Sequence, residues 1–186
     1  MRSKHNRLFQ LTASALLCAI GIVIPIFSPV KIILGPASFT LASHVAIFIA
    51  MFISPACAAV VALGTTFGFF IGGFPLVIVC RAATHLVFAL CGALILRRKP
   101  QILDSTLSAF PFALLLSLIH AVCEVLVVLP FYFDNALSPA TYQKGFYISV
   151  LLLVGVGTVI HSMVDFAISM LVWKPLRKVA APEPRK

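Results

Sequence analysis

Residues 106–130 read TLSAFPFALLLSLIHAVCEVLVVLP. The stretch carries only two side chains that charge readily near neutral pH, His120 and Glu124. A helix needs about 20 apolar residues to cross a bilayer, and this run exceeds that length. The rest of the chain repeats the pattern. Of 186 residues, 61% are hydrophobic and 10% charged, against roughly 25% charged in a soluble domain. The mean hydropathy is +1.12. This composition excludes a soluble enzyme, a nucleic-acid-binding module and a disordered chain. It supplies enough apolar residues for five or six crossings and leaves no room for a second soluble domain. Residues 1–186 therefore read as one all-α integral membrane domain.

Pro, Gly and charge divide the chain into spans at about 8–28, 39–53, 55–72, 76–96, 106–130 and 146–173. Ser54-Pro55 breaks a helix, Gly72-Gly73-Phe74-Pro75 forms a turn, and Asp104 or Ser105 caps the fifth span. The run Leu8 to Phe27 is too long for the apolar part of a signal peptide and reads as a retained first span. Arg2, Lys4, Arg7, Arg97, Arg98, Lys99, Lys174, Arg177, Lys178, Arg185 and Lys186 fall on one side of a six-span chain. Lys31 and Lys144 fall on the other. The positive-inside rule then predicts six transmembrane helices with both termini cytoplasmic. The net charge of +9 reads as membrane anchoring, with no nucleic-acid partner. Trp173 beside Lys174 reads as an interfacial anchor. The five cysteines lie in apolar runs without a C-x-x-C pair, so they read as apolar filler.

Ionisable groups within spans are expensive and mark functional sites by default. There are seven: His44, Arg81, His85, His120, Glu124, His161 and Asp165. Six of them form pairs four residues apart, Arg81/His85, His120/Glu124 and His161/Asp165, and that spacing puts both members on one helix face. Counting residues along each span places His44, Arg81 and Glu124 in the outer half of the membrane and His120 near the middle, so that the four can converge on an outer-half cavity. His161 and Asp165 fall deeper, as a polar network between helices. An interior Arg keeps its charge and needs an anionic partner. Glu124 would supply it in the empty state, an anionic ligand in the filled one. The outer loops at 29–38 and 131–145 read either as lids over such a site or, for Phe131, Tyr132, Phe133 and Tyr142, as an aromatic belt.

Enzyme signatures are weak. His161-x-x-x-Asp165 has the spacing of the last lipid-phosphatase motif, but Gly155 stands where that motif needs Arg. There is no G-x-S-x-G and no phosphate-binding G-x-x-x-x-G-K-[ST]. His120-x-x-x-Glu124 has a metal-binding spacing without H-E-x-x-H, and neither a metal nor a cofactor is assigned.

Small residues line two spans. Ala15-x-x-x-Ala19 lies in Thr12–Pro25, and Gly64-x-x-x-Gly68-x-x-x-Gly72 lies in the third span. Both let another helix approach closely. With six spans, cytoplasmic termini, this first-span alanine pair and the block Pro75-Leu-Val-Ile-Val-Cys-Arg-Ala-Ala-Thr-His-Leu-Val-Phe-Ala, the whole chain resembles a substrate-binding S component of an energy-coupling factor (ECF) transporter. It is most similar to the pantothenate/niacin branch. The resemblance implies a multi-pass protein of the prokaryotic plasma membrane, in contact with membrane lipid, that is not an enzyme. It implies a small water-soluble vitamin as ligand, pantothenate ahead of niacin. It also implies a transmembrane coupling subunit and two ATP-binding cassette ATPases as partners. Ala15 and Ala19 would face the coupling subunit, and Ile32, Ile33 and Leu34 of the first outer loop would form a lid. Arg81 would bind the vitamin carboxylate, with His85, His120, Glu124 and His44 around its polar groups. Position 2 is Arg2, which argues against the nickel and cobalt members with His there. An intramembrane enzyme acting on a lipid or isoprenoid is the alternative from another class.

Overall fold

The computed structural model describes residues 2–180, and the side chains of 7–32 and 34–177 among them. Arg185 and Lys186 lie outside the described residues, as do the side chains of Arg2, Lys4, Ile33 and Lys178.

Helix α1 runs Arg2–Phe27. An antiparallel hairpin follows, β1 (Lys31–Leu34) paired with β2 (Ala37–Thr40). Next come α2 (Val45–Ile53), α3 (Pro55–Ile71) and α4 (Leu76–Arg98). A 3-10 turn over Pro100–Asp104 leads to α5 (Thr106–Phe133) and the short α6 (Pro139–Gln143). A π-helical stretch, Tyr147–Val156, then continues directly into α7 (Gly157–Ala180). Among the described residues, four segments are long and apolar enough to cross a membrane: Arg7–Phe27, Leu76–Arg98, Thr106–Phe133 and Tyr147–Arg177. Pro55–Ile71 is a shorter apolar helix. The fold class is thus an α-helical membrane protein, with one small hairpin that reading the sequence as all-α passes over. The stretch 39–53 folds as the end of β2, a turn and α2. At 1.5 Å per residue, nine residues of helix cover only about 13 Å.

The breaks have local causes. Ser54 ends α2 and caps α3, its Oγ accepting from the Cys57 N–H at 3.2 Å. Pro55 follows at the first helical position, where its missing N–H costs nothing. Gly73 turns the chain between α3 and α4 at φ +72°, a left-handed value that glycine adopts without penalty. Ser105 caps α5 through the Leu107 N–H at 3.2 Å.

The buried helix at the centre is α2, where every residue from Val45 to Met51 is buried. A helix apolar all round belongs in a core. Phe48 packs on Phe88 of α4 and Phe166 of α7, both with ring centroids 5.3 Å away. Phe52 packs on Trp173 at 5.6 Å. Trp173 is 9% exposed, so it is a core residue here rather than the interfacial anchor expected. Helices α1 and α3 lie close together because Gly64 has no side chain; a Cβ there would stand 2.6 Å from Cys18 Sγ. Gly68 meets Ile22 in the same way, whereas Gly72 caps α3. On its other side α1 leaves Leu11, Ala15, Leu16 and Ala19 exposed.

The two ends differ in chemistry. The hairpin, the α3–α4 turn and the α6 loop gather at one end. Gln10, Ser54, Arg97, Trp173 and Arg177 gather at the other, where Arg177 pairs with Asp104.

Candidate ligand-binding site

Near the hairpin end, α1, β2, α2, α3, α4, α5 and α7 close around a cavity of about 60 Å³. Its polar wall is Arg81, His85, Glu124, His44, Thr158 and His161; its apolar wall includes Phe39, Phe69, Phe74 and Ile78. Ligand pockets usually measure several hundred Å³, so admitting a ligand requires lining residues to move.

Arg81 stands one turn into α4, 5% exposed. Its Nη1 donates to the Pro36 carbonyl at 2.9 Å, and its Nη2 donates to Glu124 Oε2 at 2.8 Å. Arg81 Nε is buried without a hydrogen-bond partner. Thr158 Oγ1 also donates to Glu124 Oε2, at 2.5 Å. Glu124 Oε1 lies 3.4 Å from His120 Nε2 and 3.8 Å from His85 Nε2. One carboxylate thus joins α4, α5 and α7. Breaking such a buried pair from one side costs about 3–5 kcal/mol.

Asp165 forms a second centre. Its Oδ1 accepts from the Ala42 N–H at 2.8 Å; its Oδ2 accepts from the His44 N–H at 2.9 Å and lies 3.0 Å from His44 Nδ1. A carboxylate on α7 therefore caps α2, whose own N-cap residue, His44, makes no side-chain cap bond. A negative charge at a helix N-terminus is favourable. The same contacts hold Ala42 at φ +67°, a left-handed conformation costing about 1–2 kcal/mol outside glycine. His161 Nε2 reaches Ser43 Oγ at 3.1 Å.

Of the residues selected from sequence, Arg81, His85, Glu124 and His44 line the cavity. His120 lies behind them, fully buried, with its ring centroid 4.8 Å from those of His44 and His85. Two placements need correction. His161 is at the cavity wall, not beneath it. The hairpin strand facing the cavity is β2, through Ser38, Phe39 and Thr40. Ile32 and Leu34 lie exposed on β1, and only the backbone of Ile33 is described. The aromatic residues of the other loop pack on one another, Tyr132 on Tyr142 at 5.1 Å. Tyr142 Oη pins that loop, accepting from the Leu137 N–H at 3.1 Å and donating to the Phe131 carbonyl at 3.3 Å. Sequence reasoning missed Thr158. Its signal was the spacing Thr158, His161, Asp165, a polar stripe at helical period on α7. Among the described residues, the imidazoles of His44, His85 and His120 form one group able to hold a metal ion, and His44, His161 and Asp165 form another.

Fold and site together define a multi-pass membrane protein with a buried charged cavity under a hairpin. The chain is 41% identical over 169 residues to the niacin transporter NiaX of Lactococcus lactis subsp. cremoris (strain MG1363), covering 91% of this chain and 75% of that protein. No protein-family model matches the chain, and no solved structure matches it. The chain belongs to the family of that transporter, the S components of ECF vitamin transporters. It is accordingly a multi-pass protein of the cell membrane and a transport subunit, not an enzyme.

Proposed function

We propose that the protein is the niacin-binding subunit of an ECF importer, taking up nicotinate through the Arg81 cavity. The observation that carries this reading is Arg81 itself: buried in the cavity wall, with Nε unpartnered. Two of its hydrogens go to Pro36 and Glu124. The remaining N–H groups still offer a fork, which matches a carboxylate with two parallel hydrogen bonds. The aromatic wall of Phe39, Phe69 and Phe74 suits a flat heteroaromatic ring. Pantothenate, placed first on sequence grounds, gives way to niacin on two counts. The 41% identical relative is a niacin transporter, and a cavity of about 60 Å³ favours the smaller, planar acid.

In this reading α1, the segment of β2, turn and α2 taken together, α3, α4, α5 and α7 make six passes. The basic end at Arg97, Arg98, Lys99 and Arg177 is cytoplasmic, as are both termini, and the hairpin end faces outward. The subunit works with a transmembrane coupling subunit, docked on the exposed Ala15–Ala19 face of α1, and two ATPases that supply the energy. Calorimetry on the detergent-purified protein tests the ligand assignment. Nicotinate should bind, and its neutral amide, nicotinamide, should bind at least ~30-fold more weakly, as should nicotinate to Arg81→Lys. Loss of a buried charged partner costs about 2–5 kcal/mol, and 1.4 kcal/mol is a factor of ten. Lys keeps the charge but loses the fork. Equal affinity for acid and amide would sink the carboxylate role.

A further inference from the structure

Four imidazoles meet where α2, α4, α5 and α7 converge. The ring of His44 lies 4.6 Å from that of His85 and 4.8 Å from that of His120, and His85 lies 4.8 Å from His120. The three contacts are edge-to-face, at 80°, 77° and 89°. All three residues are buried, and one ring nitrogen from each lies within 4.8 Å of the other two. His120 is 0% exposed, yet its Nε2 has no hydrogen-bond partner. A buried polar atom left unpaired is unfavourable, and this one faces the carboxylate of Glu124 from 3.4 Å.

We propose that His44, His85 and His120 bind a divalent transition-metal cation, with zinc as the best chemical match. Imidazole nitrogen suits zinc, and three histidines with an open fourth position are an established zinc geometry. Zinc–nitrogen bonds of 2.0–2.1 Å set the ligand nitrogens about 3.3 Å apart, so the rings must draw in by roughly 1 Å or slightly more. The surroundings supply what such a site needs beyond its ligands. Asp165 holds Nδ1 of His44 at 3.0 Å, leaving Nε2 to coordinate. Ser162 Oγ lies 3.5 Å from Nδ1 of His120, again leaving Nε2. A carboxylate or hydroxyl behind the ligating ring fixes its tautomer and orientation. His161 belongs to the competing group with His44 and Asp165. The Asp165 oxygens there are already taken by two backbone N–H groups and His44, which favours the three-histidine set.

Charge points the same way. Counting imidazoles as neutral, the buried groups are Arg81, Glu124 and Asp165, a net single negative charge. An incoming carboxylate would double it in a site shielded from water, where unpaired charge is costly. A divalent cation makes the site net positive, and a bound carboxylate then brings it to zero. His44 and His85 line the cavity, so the fourth position is open to water or to a donor atom of the ligand. This charge-balancing role rests on the carboxylate reading above; the metal site itself does not.

The test uses full-length protein purified without a polyhistidine tag and stripped by a chelator, titrated with Zn²⁺ alone and then with Co²⁺. The expected results are one saturable Zn²⁺ per chain and a tetrahedral Co²⁺ visible spectrum. Both should be lost in His85→Gln and in His120→Gln and retained in His5→Ala. No saturable Zn²⁺ binding, binding that survives in both Gln variants, or an octahedral Co²⁺ spectrum in the unaltered protein would overturn the site, whether or not the variants fold. Nicotinate titrations separate the two readings. Unchanged nicotinate affinity after stripping would overturn the charge-balancing role alone. Failure to bind nicotinate with or without Zn²⁺ would sink the carboxylate reading and leave the metal site to the Zn²⁺ titration.

Discussion

Asp165 shows how much one side chain can organise. It accepts two backbone N–H groups and faces the imidazoles of His44 and His161, tying α7 to the start of α2 across 123 and 121 residues of sequence. In Asp165→Asn one carboxamide oxygen remains to accept, and the amide nitrogen meets a donor. One buried N–H is then orphaned, at about 1–3 kcal/mol. The melting temperature in detergent should fall accordingly, and an unchanged value would show that these N–H groups find other partners. At this scale the sequence was partly readable. Four-residue spacing marks Arg81/His85, His120/Glu124 and His161/Asp165 as one-face pairs, and the cross-helix contact of Arg81 with Glu124 follows from the need to pair a buried guanidinium. The capping role of Asp165 was not readable, because its partners are main-chain groups that any sequence would present.

Among the elements, the hairpin and the π-helical stretch were least legible. The segment Lys31–Thr40 is apolar and short, and its strands are only four residues each, too few for an alternating pattern to register. Tyr147–Val156 winds with i→i+5 hydrogen bonds, so each residue advances less along the axis than in an α-helix. Counting at α-helical rise put His161 too deep; the wider winding keeps it at the cavity. Gly157 then gives Phe39 of β2 its seat, since a Cβ there would lie 2.6 Å from Phe39 Cζ. If the hairpin is a lid, it slows release more than entry. Deleting Ile32 to Leu34, which removes the partner strand of β2, should raise the nicotinate off-rate far more than it lowers the on-rate in stopped-flow measurements. An unchanged off-rate would make the hairpin a passive connector.

For the whole molecule, composition and charge distribution carried the class, because only a membrane fits so apolar a chain. The proposed docking face is what lipid-exposed small residues on α1 provide: with no hydrophobic drive between helices in lipid, close approach decides association. Ala15→Trp should therefore abolish co-purification with the coupling subunit while leaving nicotinate binding by the isolated subunit intact. Lost ligand binding with an intact complex would refute the assignment. One contact joins these scales. The carbonyl of Pro36, beside the hairpin turn, is held by the same guanidinium that is to grip the ligand. If the hairpin is a gate and Arg81 grips the ligand, gate and cargo share a handle. By thermodynamic reciprocity, whatever shifts the gate toward closure must tighten the grip by the same factor, and a filled grip must shift the gate. Occupancy would then be written into the position of the outer surface, and a neighbouring protein could distinguish a loaded subunit from an empty one without touching the vitamin.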